Sequence, residues 1–294
     1  MKSLQSHPVL SGAVRPLSIR LAASVLFLAA CLLALLVSAP MEAQAKSVNP
    51  YGLISAQYES GSDPACIVSG IAYGAYQMTP KNTYAFCRWM GKRDKNAKAY
   101  SKKLLAAYKK DKKKCGTHFD KAWKSIAKAH PKAFHRYQYL YVKSISYTPT
   151  VRYLQANVKG FKVSRYTNAL RNVIFSTAVQ HGSWGAYKII AKAYRSGKGE
   201  KKLVSKIYGI RAGYSKAKSI KKSVGKGVTV NAIKSADCRW YVANGLLSKK
   251  EASKLKGKAL LNFYSCSSAE QVGVYYRLQK CEKVTALNLY RQYA

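Results

Sequence analysis

The sequence contains few acidic residues. Asp and Glu account for 11 of the 294 residues, against 52 Lys and Arg, and the formal net charge is +41. Such a chain would repel a polycation, and it favours a polyanionic partner such as nucleic acid, anionic lipid or an anionic cell wall. Charge alone does not choose among these three.

The sequence also lacks the spacings typical of metal sites and of β-sheets. No C-x-x-C or H-x-x-x-H pattern occurs, which argues against zinc, and we expect neither a metal nor a cofactor. Alternating strand patterns are scarce and no repeat of fixed period is present. The sequence therefore predicts a mainly α protein.

Long apolar runs are confined to the N-terminus. Residues 21–37 form an apolar run that follows Lys2, Arg15 and Arg20, and a small-x-small site, Ala43-Gln44-Ala45, comes after it. This layout predicts a secretory signal peptide over residues 1–45. An uncleaved membrane anchor is the alternative, because the run is just long enough to span a bilayer. In either case residues 46–294, with a net charge of +39, are expected to be secreted, periplasmic or bound to the cell wall.

Six cysteines lie beyond the signal segment. An even number in an exported chain predicts disulfides, although the pairing stays open. Three of them precede residue 215 and three follow it, so complete pairing would need at least one bond between the two halves; they are Cys66, Cys87, Cys115, Cys238, Cys266 and Cys281.

Helical patterns follow one another along the rest of the chain. Apolar spacing predicts helices over residues 79–90 and 134–142, and a basic helix within 92–114. Tyr147-Thr148-Pro149 predicts a break. A further helical run over 173–179 is predicted to end at Gln180-His181-Gly182.

Two domains are predicted, separated near residue 214. The stretch 213–228 is rich in Gly, Ser and Lys, as linkers are. Beyond it, Ser248 with Glu251 and Ser267 with Glu270 fit the capping box that begins helices. Residues 215–294 are therefore expected to form a small helical domain, a candidate for binding the wall.

Glu59 stands out at the predicted end of a helix, before Ser60-Gly61. Gln77 follows it by 18 residues, within a Gly-x-x-Gln-apolar pattern. A glycosidase needs a carboxylic acid that is still protonated when it meets the leaving oxygen. The negative end of a helix favours that form only weakly, so we expect a dry cleft in which Tyr58, Tyr73 or Tyr76 shields Glu59.

Four blocks in order resemble known peptidoglycan-cleaving enzymes. The first two resemble the active-site signature of the lysozyme-like superfamily, notably the goose-type lysozymes and the soluble lytic transglycosylases. The whole set is closer to the peptidoglycan-hydrolase domain at the C-terminus of some type VI secretion spike proteins, and to related phage enzymes. The resemblance covers roughly residues 50–214, through Glu59-Ser60-Gly61, Tyr73-Gly74-Ala75-Tyr76-Gln77, Phe119-Asp120-x-x-Trp123 and Phe175-Ser176-Thr177-Ala178-Val179-Gln180-His181-Gly182.

This resemblance implies a lysozyme-like helical domain over residues 46–214 that cleaves the β-1,4 bond between N-acetylmuramic acid and N-acetylglucosamine. It implies Glu59 as the catalytic acid, acting by hydrolysis or by 1,6-anhydro transglycosylation. The acid of the family's longer loop has no counterpart here, because residues 67–72 contain no Asp or Glu. Candidate substrate contacts are Tyr73, Tyr76, Gln77, Gln180 and His181.

Most of these residues also have a structural alternative, and Glu59 itself could be a surface acid at a helix end. Asp63 and Asp120 are the candidates for a second acid or base, yet the first can set an Asp-Pro turn and the second can cap a helix. His181 can interact with its own helix terminus, Gln77 can be a buried structural amide, and the tyrosines can belong to the core.

Two other functions stay open at this stage. One is a chitosanase-like glycoside hydrolase, which the charge disfavours, and the other is a non-enzymatic cationic antimicrobial or nucleic-acid-binding protein. The expected partners are peptidoglycan and other anionic wall polymers, with an immunity protein as a further candidate. We expect a monomer and no specific nucleic acid, and the target, the cell's own wall or a competitor's, is open.

Overall fold

The computed structural model describes residues 50–194, 199–216 and 229–293. Its first helix, α1 (Leu53–Ser60), ends at Gly61, whose φ of 66° is the left-handed conformation that glycine adopts readily at a helix C-terminus. A short antiparallel hairpin follows, β1 (Ile67–Val68) and β2 (Ala72–Tyr73), with Ile67 opposite Tyr73. The predicted signal peptide lies outside the described residues.

The described chain is mainly helical, as the sequence predicts. After the hairpin come α2 (Pro80–Met90), α3 (Lys95–Lys110), α4 (Thr117–Ala129), α5 (Pro131–Val142), a π-helical turn π1 (Lys143–Tyr147), α6 (Thr148–Asn157), a 3₁₀ turn (Val163–Arg165), α7 (Asn168–Tyr194) and α8 (Glu200–Arg211).

The prediction of a break at Tyr147-Thr148-Pro149 is wrong. The chain stays helical through this point, because α5 passes into π1 and then into α6. Pro149 lies in the first turn of α6, where a missing backbone N–H is tolerated. The wider π-helical turn before it accommodates the change from one helix to the next.

The predicted end of a helix near Gly182 is confirmed as a sharp kink within α7. Gly182 has φ 69° and ψ 166°, which are not helical values. The first part of α7 is buried, and its Asn172 joins α1 to the core: Nδ2 donates to the Pro50 carbonyl and Oδ1 accepts from Ile54 N–H.

The C-terminal part begins with a second small hairpin of β3 (Tyr214–Lys216) and β4 (Lys258–Leu260). Both predicted capping boxes form, at Ser248 and at Ser267. The helices of this part are α9 (Ser235–Ala243), α10 (Lys249–Leu255), α11 (Ser268–Tyr276), a π-helical segment π2 (Arg277–Glu282) and α12 (Lys283–Tyr293), with a 3₁₀ turn (Leu261–Phe263) before α11.

The central helix of the structure is α7. It is contacted by α1, α6 and α8 from the first part of the chain, and by α12 from the C-terminal part. The end of the chain therefore packs on the helix that also supports α1. The predicted division near residue 214 stays a prediction.

The structure has free thiols at Cys66, Cys87, Cys115, Cys238 and Cys266. Burial, followed by the nearby Asp120 carboxylate, raises the pKa of Cys115 to about 11. Cys87 is fully buried. The pairing of these cysteines stays a prediction.

Within the described ranges, no helix combines the length and the apolar character that crossing a membrane would need.

Candidate active site

Glu59 lies in the last turn of α1, next to the block that contains Gln77. The following residue ties the two together, since Ser60 Oγ donates to the Ala75 carbonyl at 3.0 Å. The Glu59 side chain is 20% exposed, so it reaches solvent from a largely covered position. The last turn of α1 thus holds the carboxylate beside the block that contains Gln77.

An arginine from the far end of the chain meets this carboxylate. Arg277 Nη2 donates to Glu59 Oε1 at 2.6 Å, and Arg277 Nε donates to Glu282 Oε1 at 2.7 Å. Both new residues belong to π2, in which hydrogen bonds span five residues and so bring positions 277 and 282 to the same face. Glu59 therefore has a cation on one side, and Tyr76 lines the same cavity.

Glu282 is the buried centre of a wider network. It accepts a hydrogen bond from Ser176 Oγ at 2.8 Å, and its Oε2 lies 3.1 Å from Arg211 Nη1. Arg211 Nη2 in turn donates to Gln180 Oε1 at 2.6 Å. The network thus runs from Glu59 to Gln180, and the side chains of Glu282 and Arg211 at its centre are 0% exposed.

The charges in this network stabilise one another. Burial alone would raise the pKa of Glu282, but Arg211 and Arg277 hold it below its usual value. Burial alone would lower the pKa of Arg277, but the carboxylates of Glu59 and Glu282 raise it above its usual value. Glu282 and Arg277 are therefore charged at neutral pH, as buried ions that are paired can be.

Glu59 opens into a cavity of about 420 Å³, a size typical of small-molecule sites. The first part of the chain forms one side of it and the C-terminal part forms the other. The residues of the first part are Glu59, Tyr76, Gln77, Met78, Thr79, Asn82, Val142, Ile145, Ser146, Val179 and Gln180, and those of the second are Phe263, Cys266, Glu270, Val274 and Arg277.

The structure brings four of the predicted site residues together in this cavity: Glu59, Tyr76, Gln77 and Gln180. Gln77 has a positive φ of 46°, and its Nε2 donates to the Gly74 carbonyl at 2.9 Å, which fixes the amide beside its own turn. Tyr76 is 2% exposed. Its ring therefore forms part of the cavity wall without projecting into solvent.

Tyr73 and Asp120 lie elsewhere: Tyr73 is in the core behind the hairpin, and Asp120 is half-buried beside it. Tyr73 is 0% exposed, packs edge-on against Phe119 and Trp123, and donates from its hydroxyl to Asp120 Oδ1 at 2.7 Å. Asp120 Oδ2 also accepts a hydrogen bond from Ser69 Oγ at 2.5 Å. These contacts give both residues a structural role in holding the hairpin to α4.

We expect Asp120→Asn to act on stability more than on catalysis. The substitution removes the charge from two hydrogen bonds, and a hydrogen bond to a charged group contributes about 1.5–3 kcal/mol. Because Asn keeps one acceptor oxygen, a loss of about 1.5 kcal/mol is expected. Urea denaturation measures this loss, and unchanged stability together with a loss of any catalytic activity would return Asp120 to the candidate bases.

Asp63 and His181 also lie outside the cavity lining. The Asp63 side chain accepts from Ala65 N–H at 2.8 Å, the contact of a local turn. Burial, followed by the charge of Arg211, lowers the pKa of His181 to about 4, so that the ring is neutral at physiological pH. The His181 ring lies 5.9 Å from that of Phe263, which lines the cavity.

The described part of the structure contains no cluster of side chains suited to binding a metal ion. Across residues 50–194, 199–216 and 229–293, no three His, Cys, Asp or Glu side chains gather in a way that could hold a metal ion.

Most of this chain matches a known protein family. Residues 51–234 match the family described as type VI secretion system spike protein VgrG3-like, C-terminal. The chain belongs to this family. The match contains every block of the resemblance seen in the sequence, and it supports a type VI secretion effector domain. No curated protein matches the chain.

The VgrG3-like match ends before the arginine that contacts Glu59. Arg277, Glu282 and Glu270 all follow residue 234, in the part of the chain that the sequence analysis assigned only to a small helical domain. One feature of the sequence could have indicated the role of Glu282. Acids are so scarce that Glu282, within an otherwise basic and apolar helix, could have been recognised as buried against cations.

Proposed function

We propose that this chain is a peptidoglycan glycosidase in which Glu59 is the catalytic acid. The bond cleaved is the β-1,4 linkage between N-acetylmuramic acid and N-acetylglucosamine. The observation that supports the proposal is the position of Glu59 at a helix end, on the wall of a cavity shared with Tyr76, Gln77 and Gln180. Membership of the VgrG3-like family supports the same assignment.

The arrangement of carboxylates favours a mechanism with a single acid. Asp63 is bound in a local turn, Asp120 is half-buried and hydrogen-bonded to Tyr73, and neither lines the cavity. The other carboxylate that lines the cavity is Glu270, whose Oε2 accepts from Ser267 N–H and Oγ, both at 2.8 Å, to begin α11. Glu270 is thus engaged at the start of α11, and this favours Glu59 acting as the single acid.

In the proposed reaction Glu59 first donates its proton to the glycosidic oxygen, and the bond from the anomeric carbon of the muramic acid to that oxygen breaks. The resulting carboxylate then takes a proton from the muramyl 6-hydroxyl, whose oxygen bonds to the same anomeric carbon. The products are a 1,6-anhydro end and a free 4-hydroxyl. Hydrolysis is the alternative outcome, in which water takes the place of the 6-hydroxyl.

Borohydride reduction separates the two outcomes. Ends formed by the 6-hydroxyl have no reducible aldehyde, so a digest of purified peptidoglycan should gain no borohydride label. Labelling of every new end would show that water is the nucleophile, and the glycosidase assignment itself would survive.

The basic surface is proposed to hold the enzyme on its anionic substrate. Peptidoglycan binding is expected to weaken between 0.1 M and 1 M salt, as the Debye length falls from about 10 Å to about 3 Å. Pull-down on insoluble peptidoglycan across this range measures the effect. DNA-cellulose is used as a second matrix, so that binding to the two polyanions can be compared. Binding that persists undiminished at 1 M salt would contradict electrostatic capture and indicate a specific glycan site.

The family context also bears on where the protein acts. A type VI secretion effector domain is used outside the cell that makes it, which agrees with the export expected from the sequence. The proposed signal peptide would provide a route of its own, and an immunity protein is a proposed partner in the producing cell.

A further inference from the structure

The C-terminal part of the chain forms one side of the candidate active site. Phe263, Cys266, Glu270, Val274 and Arg277 all line the cavity of Glu59, and all lie beyond the VgrG3-like match. This part is held there by α12, which packs on α7. The segment 229–293 thus has direct access to the proposed catalytic acid.

The contact it makes opposes the proposed chemistry. Arg277 lies 2.6 Å from Glu59 and its side chain is 7% exposed, so water screens the pair weakly. A cation at this distance stabilises the ionised carboxylate. A general acid has to carry a proton when the glycosidic bond breaks. The two requirements conflict while the contact is intact.

The remaining charges around Glu59 do not remove the conflict. With Glu59 and Glu282 ionised, the buried set Glu59, Glu282, Arg211 and Arg277 sums to zero, and protonation of Glu59 would leave a buried excess of one positive charge. Glu270 also lines the cavity, and its carboxylate is already bound at the start of α11. The neighbouring titratable groups include His181, whose lowered pKa leaves it neutral, and Cys266, whose pKa burial and Glu270 raise. They also include Tyr58, whose pKa burial raises to about 12, and Tyr208, which donates to Glu282 and whose pKa burial raises.

We propose that Arg277 is a positioning residue that holds Glu59 as a carboxylate in the ligand-free site, so that the C-terminal segment restrains cleavage until this contact opens. The inference rests on the proposed function of Glu59. Opening the contact is feasible, because Arg277 keeps Glu282 as a second carboxylate at 2.7 Å and would not be left buried without a counter-ion. The partly exposed Glu59 would turn toward the cavity.

The test compares Arg277→Gln with Lys280→Gln. Both substitutions remove one positive charge from π2 and break an ion pair of 2.6 Å, but Lys280 pairs with Glu251, away from the cavity. The initial rate of soluble-product release from purified peptidoglycan is measured against pH for the wild type and both variants. For Arg277→Gln, the fall in rate toward alkaline pH should occur about one pH unit higher, giving about tenfold faster cleavage above the wild-type midpoint.

The controls make the result specific to the charge. Lys280→Gln should follow the wild-type profile, and Arg277→Lys should restore it, because the cation is retained. An unshifted profile in a folded Arg277→Gln protein, or a uniform loss of rate without a shift, would overturn the proposal.

A measurement on the unaltered chain covers the case in which Arg277→Gln does not fold. ¹³C-glutamate NMR, with Glu59→Gln used to assign the resonance, should find Glu59 ionised in the ligand-free protein near neutral pH, and a protonated Glu59 would overturn the proposal.

Failure of the proposed function gives a different result from failure of the restraint alone. If the wild type and Arg277→Gln both fold and neither cleaves peptidoglycan, the proposed function fails and the restraint with it, whereas equal cleavage with one shared profile refutes only the restraint.

Discussion

Glu59→Gln is expected to reduce cleavage of purified peptidoglycan by at least about 100-fold, the lower end of what a general acid contributes. The amide has nearly the shape of the carboxylic acid, but it cannot donate a proton to the glycosidic oxygen. Folding should be preserved, since the amide oxygen of the variant can still accept from Arg277 and Arg277 keeps Glu282. Release of soluble muropeptides measures the loss of cleavage, and a thermal melting curve of the same variant measures whether folding is preserved.

The matched control for this variant is Glu251→Gln. Glu251 is also an ion-paired glutamate, joined to Lys280 at 2.6 Å, but it lies outside the cavity lining. The Glu251→Gln variant should cleave peptidoglycan at the wild-type rate. A Glu59→Gln protein that cleaves at a rate near that of Glu251→Gln would exclude Glu59 as the acid.

Glu282→Ala is expected to cause the largest loss of stability, about 3–5 kcal/mol. The substitution leaves the fully buried Arg211 without its ion-pair partner, and it leaves Arg277 with Glu59 alone. Lys280→Ala provides the comparison, because it breaks a partly exposed pair and should cost about 0–1 kcal/mol. Chemical denaturation of both variants measures the difference, and a loss below about 1 kcal/mol for Glu282→Ala would mean that the buried network adds little.

The same residue gives stability a defined dependence on pH. The folded protein holds the pKa of Glu282 below its unfolded value, so its contribution is fully present above the unfolded pKa and is lost as pH falls through the folded pKa. The wild type should therefore lose stability in acid more steeply than Glu282→Ala. Parallel slopes of unfolding free energy against pH would contradict this assignment.

The sequence predicted the local features of the fold where the cause is local. The capping boxes at Ser248 and Ser267 and the interruption at Gly182 depend on residues within one turn, and all three appear in the structure. The break expected before Pro149 failed, because helix packing and a π-helical turn outweighed the preference of the proline dipeptide.

The candidate site was predictable only on the side that the resemblance covers. Glu59 and Gln77 are separated by 18 residues and carry a recognisable pattern. Arg277 reaches Glu59 across 218 residues, through the packing of α12 on α7, and no local spacing encodes such a contact. The sequence therefore predicted a protonated acid in a dry cleft, and the structure adds an arginine that contacts this acid at 2.6 Å.

The central claim is tested most directly by mass spectrometry of peptidoglycan digested with the wild type and with Glu59→Gln. The account predicts wild-type muropeptides that end in muramic acid, in the 1,6-anhydro form, and none of them from Glu59→Gln. Products that end in N-acetylglucosamine, products cut in the peptide stems, or no products at all from the folded wild type would contradict it.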